Sequence, residues 1–261
     1  MFIEERHQAI LDILAEKGSI LTAEIQRKFN VSYDSAKRDL RILEEKGLLK
    51  RTHGGAITLR QIAAGKPPMT TCRDIVEVKE NYMEIAMKAV SMIRENDVIF
   101  ITSATVGYFM AKNLPDSMKI RVATNSIIIA EELRTKPKVS VILLGGEMDD
   151  KGNCYDAFAI DTIKKLRFDK CFITAAAISA DFGLSIQKSQ AISFWNAVID
   201  SSKQTVGLFP TEKIGFESVI SICPANRLNV LITDWNALEE DLVRFDEQGI
   251  EVVVVEKEDK E

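Results

Sequence analysis

The chain has 261 residues, 46% hydrophobic and 28% charged, with a formal net charge of −5. That is long enough for one small domain beside one of ordinary size, and the balance is that of a globular chain rather than a disordered one. No apolar run approaches the ~20 residues of a membrane span, and Glu4, Glu5 and Arg6 stand where a signal peptide needs an apolar stretch.

The four cysteines, Cys72, Cys154, Cys171 and Cys223, are scattered with no CxxC pair. That argues against a zinc site or a disulfide framework and fits a reducing cytoplasm. No cofactor motif is expected.

Phe2 to Lys17 reads as an amphipathic helix, with Ile10, Leu11 and Leu14 on its apolar side and Gly18 as its stop. Thr22 is placed to cap a second helix, Ala23 to Phe29, on which Ile25 and Phe29 share a face. Asn30 suits the left-handed conformation that ends it, and Val31 is the apolar plug of the turn. Ser32 then caps a third helix, Tyr33 to Lys46. Ala36, Leu40 and Leu43 repeat there at i, i+4, i+7 and face inward, leaving Tyr33, Asp34, Lys37, Arg38 and Arg41 to solvent. Gly47 is the natural stop. Leu48 to Ile57 reads as strand, glycine turn and strand, a wing carrying Arg51 and His53.

An apolar-backed helix with polar and basic residues near its N-terminus is what a DNA major groove accepts. From Arg27 to Arg60 the chain carries nine Lys or Arg against four acids, a local +5 on a molecule of −5. Phosphate contacts need positive charge only at the contact surface. His53, with no Cys/His cluster beside it, reads as a backbone contact or a structural hydrogen bond rather than a metal ligand.

The order Val31-Ser32, Lys37-Arg38-Asp39-Leu40, Leu43-Glu44, Gly47-Leu48-Leu49, Arg51-Thr52-His53-Gly54-Gly55-Ala56 resembles the N-terminal signature of DeoR-type bacterial transcription regulators, and Arg6-His7-Gln8-Ala9-Ile10-Leu11 matches as well. Where the family has a threonine and two arginines, this chain has Ser35, Lys37 and Arg38. Helix face and resemblance together make Ser32, Tyr33, Ser35, Lys37, Arg38, Arg41, Arg51 and His53 the candidate DNA contacts, with double-stranded DNA as partner.

Residues 59–76, with Pro67-Pro68 and no period, read as an extended linker between a winged helix-turn-helix domain at 1–58 and a second domain at 77–261. From Glu80 short apolar strands alternate with helices. Expected helices are Tyr82–Ile93, Gly107–Leu114, Ile127–Leu133, Ala157–Lys164 and Gln187–Ser201. Expected strands are Asp97–Ile101, Ile120–Thr124, Val139–Leu144, Lys170–Ala175, Thr205–Phe209, Val230–Thr233 and Glu251–Val255. This predicts an open, mostly parallel α/β sheet, whose ligands bind at the carboxyl ends of the strands. Three successive strand ends are polar: Thr102-Ser103-Ala104-Thr105, Thr124-Asn125-Ser126 and Gly145-Gly146-Glu147. Each alone suits helix capping; three on one edge suit a phosphate.

The resemblance extends over this half, where the family's sensor domain is similar to the ribose-5-phosphate isomerase fold and binds a phosphorylated sugar or related metabolite. Val122-Ala123-Thr124-Asn125-Ser126, Leu144-Gly145-Gly146, Phe172-Ile173, Lys213 and Ile232-Thr233-Asp234 match its pattern. It implies Ser103, Thr105, Asn125, Ser126, Gly145, Gly146 and Lys213 as effector-binding residues. The departures are specific. Thr102-Ser103-Ala104-Thr105-Val106 replaces Asp-Ser-Gly-Thr-Thr, Asp156 stands for a glycine and Gln190 for a glutamate. Pro210-Thr211-Glu212-Lys213 replaces Asp-x-Ser-Lys, with Glu212 a displaced substitute for the acid. Threonine and proline do not restore a carboxylate's acceptor capacity, so an effector unlike a typical sugar phosphate, or weak sensing, is expected.

The sequence therefore reads as a repressor of carbohydrate genes, a homodimer or homotetramer held by its α/β domain and controlled by a phosphorylated metabolite. The alternatives are a ligand-independent dimeric regulator and a sugar-phosphate isomerase or transferase with a DNA-binding appendage. An isomerase needs a general base, and the matching acidic positions are Thr102, Gln190 and Pro210; Asp156 and Asp181 are the undirected substitutes. No enzyme activity is expected.

Overall fold

The computed structural model describes the backbone of residues 3–17, 19–46, 48–52, 54–58 and 80–257, and the side chains of all of these but 4, 15–17, 57 and 58. The expectations on Gly18, Gly47, His53 and the 59–76 linker lie outside the described residues. The chain divides into two compact units, Met1–Gln61 and Ile62–Glu261.

In the first unit α1 (Ile3–Lys17), α2 (Thr22–Phe29) and α3 (Tyr33–Glu45) surround a core of Ile10, Ile13, Leu14, Ile25, Ala36, Leu40 and Leu43. Leu11 is only partly buried, and Ile13 takes more of the core than the periodicity implied. Thr22 does not cap α2. It lies inside the helix and is buried, with Leu21 in the cap position and no side-chain cap bond. The reason is β1 (Ser19–Leu21), a strand that brings the backbone straight into the helix and pairs antiparallel with β3 (Gly55–Thr58). The Thr22 N–H is used up on the Gly54 carbonyl, 2.8 Å away. β3 also pairs with β2 (Leu49–Thr52), giving a three-stranded wing sheet in the order β1-β3-β2. Gly55 is required there, since a Cβ would meet the Ile20 carbonyl oxygen at 2.0 Å. Asn30 ends α2 at φ 51°, and Ser32 caps α3 by accepting from the Ser35 N–H at 3.2 Å.

The second unit is a seven-stranded sheet, parallel at every pairing: β4 (Val98–Ile101), β5 (Ile120–Thr124), β6 (Val139–Leu143), β7 (Phe168–Ile173), β10 (Ser202–Leu208), β12 (Val230–Asp234) and β13 (Glu251–Val255). Their order is β13-β12-β10-β7-β4-β5-β6. The chain runs outward from β4 to β6, then returns to β7 on the other side of β4, so the crevice of an open α/β sheet lies between β4 and β7.

Helices α4 (Glu80–Ser91), α5 (Thr105–Asn113), α6 (Ile127–Arg134), α7 (Ala157–Lys164) and α8 (Ile192–Asp200) fall near their expected positions. The expected helix from Gln187 begins only after a 3-10 turn at Ser189–Ala191, because Lys188 is extended. Four elements were not expected. β8 (Ala177–Ser179), β9 (Gly183–Ile186) and β11 (Ile220–Cys223) form a separate antiparallel sheet, and α9 (Glu239–Asp246) precedes β13. The strands are too short to show a period, and α9 buries little besides Phe245. No helix of the described residues is long and apolar enough to cross a membrane.

Candidate nucleic-acid interface and effector site

The outer face of α3 carries the candidate DNA contacts. Tyr33, Lys37, Arg38 and Arg41 are exposed, and Ser35 is half-buried in a 2.9 Å hydroxyl–hydroxyl bond with Ser32. The Lys37 ammonium lies 4.7 Å from the centroid of the Tyr33 ring, which holds the two in one orientation. Arg41 faces Glu45 at 3.7 Å along the helix.

Two of the acids counted against the basic patch are internally neutralised. Asp39, 1% exposed, accepts from Arg6 Nε at 2.7 Å and Nη2 at 3.0 Å and lies 3.0 Å from His7 Nε2. The pair raises the Arg6 pKa, chiefly through the hydrogen bond to Asp39. Glu44 accepts from the Arg51 N–H at 2.9 Å and its Nε at 2.5 Å. Arg51, read as a wing contact, is thereby anchored to the end of α3, and those bonds hold the Glu44 carboxyl below its usual range.

The sequence missed the role of Asp39. The signal was its position between Ala36 and Leu40 on the inward face of α3, where an acid needs a partner.

At the carboxyl ends of the second unit's strands, Ser103 and Thr105 flank the start of α5. That helix has no side-chain cap, which leaves its first-turn N–H groups for another acceptor. Ser126 occupies the cap position of α6, also without a side-chain cap bond. Ser103, Ala104, Tyr108, Ser126, Lys151 and Asn153 line a shallow cleft between these two helix ends.

Asn125 is fully buried. Its Nδ2 donates to the Cys154 carbonyl at 3.2 Å, its backbone carbonyl accepts from the Cys154 N–H, and its Oδ1 has no hydrogen-bond partner among the described residues. Gly145 is exposed and opens on free space. Gly146 serves local structure: a Cβ there would meet Asp156 Oδ1 at 2.2 Å. Asp156 caps α7 through the Ala159 N–H at 3.1 Å and accepts from the Glu147 N–H at 2.7 Å, and the two backbone bonds lower its pKa.

Lys213 follows β10, the strand beside β7. Its ammonium donates to the Ala175 carbonyl at 3.0 Å and Thr174 Oγ1 at 3.3 Å, just beyond β7. Desolvation lowers its pKa to about 8, against a weaker opposing pull from Glu212.

The positions where the family has acids take the following places in the fold. Thr102 is buried, its N–H donating to the Phe172 carbonyl. Gln190 is exposed on the 3-10 turn before α8. Glu212 accepts from Asn81 at 3.2 Å and is hydrogen-bonded to Tyr82. Tyr155 was not singled out in the sequence, since it sits in a loop without a motif. Its hydroxyl makes a 2.7 Å bond with Ser103 Oγ, and its ring packs on Phe194 and Trp195 at 5.2 and 6.1 Å.

Removing the cap of α3 gives the first prediction. Ser32→Ala should cost about 1 kcal/mol of first-unit stability, read by denaturation. Lys37→Ala and Arg38→Ala should leave stability within ~0.5 kcal/mol. Each should also shorten the salt slope of DNA binding by about one if it contacts phosphate. An unchanged slope together with unchanged affinity would remove that residue from the interface.

The family model for the DeoR-like helix-turn-helix domain matches residues 6–61, and that for the DeoR C-terminal sensor domain matches residues 77–235. The chain is 31% identical over 263 residues to the HTH-type transcriptional repressor GlcR of Bacillus subtilis (strain 168), covering 99% of both. It is 36% identical over 182 residues to the lactose phosphotransferase system repressor of Lactococcus lactis subsp. lactis, covering 67% of this chain and 69% of that one. A solved ribose 5-phosphate isomerase from Plasmodium falciparum is similar at 15% identity over 52% of this chain and 53% of its own, with a TM-score of 0.37, too low to carry weight. The relatives are named as regulators and repressors, not as enzymes. With both family models spanning most of its length, the chain belongs to the DeoR family of helix-turn-helix transcriptional regulators.

Proposed function

We propose that this regulator is a cytoplasmic repressor of carbohydrate genes, and that an anionic metabolite bound at the strand ends of its α/β domain controls it. Residues 1–58 are the DNA-binding domain in this reading, 59–76 the linker and 77–261 the sensing and oligomerising domain. The observation that carries the effector reading is Lys213. Its partly dehydrated ammonium donates to neutral oxygens just beyond β7, and the uncapped start of α5 follows the neighbouring strand β4. A phosphoryl group is the natural acceptor for a lysine and first-turn N–H groups together. Ser103, Thr105, Asn125 and Ser126 are the polar residues around it, with Gly145 at the rim and Gly146 in support. The relatives' names support control of sugar-related genes. One module has a small footprint, so a homodimer or homotetramer on a symmetric site with half-sites about 10 bp apart is the expected DNA complex.

A thermal-shift screen of the full chain against phosphorylated and unphosphorylated sugars and polyols tests this. A ligand at 100 times its dissociation constant adds ~2.7 kcal/mol of stability. A phosphorylated hit lost in Lys213→Ala supports the reading. The bond from Tyr155 to Ser103 and the engagement of Glu212 elsewhere favour the second reading, a ligand-independent dimeric regulator. Full DNA binding with no shift from any compound would establish that one instead.

The lysine also predicts a pH dependence. Lys213 is charged below about 8 and loses its proton above it. An anion favours the charged form, so affinity should be greatest near pH 7 and fall as pH rises through 8 to 10, with a proton taken up on binding. A phosphate ester's second pKa is ~6, so its dianion is nearly complete by pH ~7.5 and the fall above pH 8 isolates the lysine. Calorimetry in buffers of different ionisation enthalpy reads the proton; a flat profile would remove Lys213 from the site.

A further inference from the structure

We propose that the first turn of α4 receives the effector signal. Asn81 and Tyr82 clasp the Thr211–Lys213 turn through Glu212 and Asp234, so a change at Lys213 is passed to the start of the α/β unit. The proposal rests on reading Lys213 as an anion-binding group.

The clasp is a polar cluster. Asn81 Nδ2 donates to Glu212 Oε2 at 3.2 Å and to Asp234 Oδ2 at 3.0 Å. The Tyr82 hydroxyl donates to Glu212, and burial together with the two carboxylates pushes its pKa up, so it stays a donor. Asp234 is fully buried and also accepts from the Thr211 N–H at 2.8 Å, Thr211 Oγ1 at 2.7 Å and the Asn236 N–H at 3.2 Å. The turn itself is closed by the Lys213 N–H on the Pro210 carbonyl at 2.8 Å.

Glu212 and Lys213 are neighbours in that turn, with different duties. Glu212 holds α4, while Lys213 reaches Thr174 and Ala175 beyond β7. Adjacent Cα atoms are about 3.8 Å apart, so a backbone shift at Lys213 carries Glu212 with it. An anion that draws the ammonium off its two neutral oxygens also brings negative charge beside Glu212, which already shares the Asn81 amide with Asp234.

The construction of α4 makes its first turn the responsive part. Ile85, Ala86, Ala89 and Val90 anchor the helix body in the core, whereas residues 80–84 are only half-buried. A polar clasp on a half-buried first turn opens locally at less cost than the packed body behind it. α4 is also the first described element after residues 59–79, the stretch that joins the α/β unit to the DNA-binding unit.

A mutant cycle on the full chain, read by hydrogen exchange of the first-turn amides of α4, tests the clasp without any ligand. Lys213→Met should change exchange there by about tenfold, with α7 as the reference helix. In Asn81→Ala and in Tyr82→Phe, which keeps the ring and removes the hydroxyl, the same change at position 213 should have less than about a twofold effect. An α4 response equal in all backgrounds, or none in the parent, overturns the proposal. Inorganic phosphate titrated into the same proteins reads the anion site separately. Protection around Thr174 and Lys213 that is lost in Lys213→Met supports the site reading. Its absence overturns that reading, while the cycle still decides the clasp.

Discussion

Replacing Asp39 with alanine is expected to unfold the first unit and abolish DNA binding while the α/β unit stays folded. Asp39 is the acceptor for both nitrogens of the Arg6 fork and for His7, and its side chain is 2% exposed against 11% for Arg6. Removing one partner of a buried pair leaves the other charged and unsatisfied, which costs about 3–5 kcal/mol. A core of ~60 residues supplies only about that much in total. The apolar contacts of α1 through Ile10, Ile13 and Leu14 remain, but the bonds that set its angle to α3 do not. Segment-resolved hydrogen exchange on the full chain, with salt-dependent DNA binding, checks this. Protection of residues 20–46 should collapse to that of an open chain while the sheet of the second unit is unchanged. Asp39→Asn keeps the volume and one acceptor, so it should fall between the parent and alanine. Normal protection and DNA affinity in Asp39→Ala would show the pair to be dispensable.

The second large effect is expected at Phe194. It is fully buried on α8 and packs at 6.0 Å on Phe100, 5.3 Å on Trp195 and 5.2 Å on Tyr155. Phe194→Ala removes the ring from the middle of this cluster and should cost about 3–5 kcal/mol, read by denaturation of the second unit. It should also free Tyr155, whose hydroxyl is aimed at Ser103 by that packing. The Phe194→Leu variant fills most of the volume, restoring much of the stability without the aromatic edge contact with Tyr155. A ligand found in the screen should therefore lose affinity in both variants, and stability mainly in the first. Unchanged affinity in Phe194→Leu would mean that Tyr155 takes no part in the site.

Both predictions fall on residues whose weight the sequence leaves in the background, and the reason is common to them. A period of i, i+4, i+7 marks Ala36, Leu40 and Leu43 as inward because apolar burial is a property of one helix face. The same period places Asp39 inward too, but its partners Arg6 and His7 are 33 and 32 residues away, and no local pattern brings them there. The caps at Ser32 and Asn30 were legible because they are satisfied within three or four residues. Thr22 was misread as a cap because β1, three residues long, acquires its strand character only by pairing with β3.

In the second unit the sequence alone determined the parallel sheet. Strands buried on both faces read as apolar runs, and connections containing helices keep them parallel. It also determined which strand ends are polar and which acids are absent. The order of the strands was decided by the tertiary structure, and with it the switch point between β4 and β7 and the meeting of Lys213 with Thr174 from distant parts of the chain. So was the fate of each polar group. Asp156 became a cap, Glu212 a clasp for α4 and Tyr155 a partner of Ser103, because a carboxylate or hydroxyl takes whichever donors the fold brings within about 3 Å.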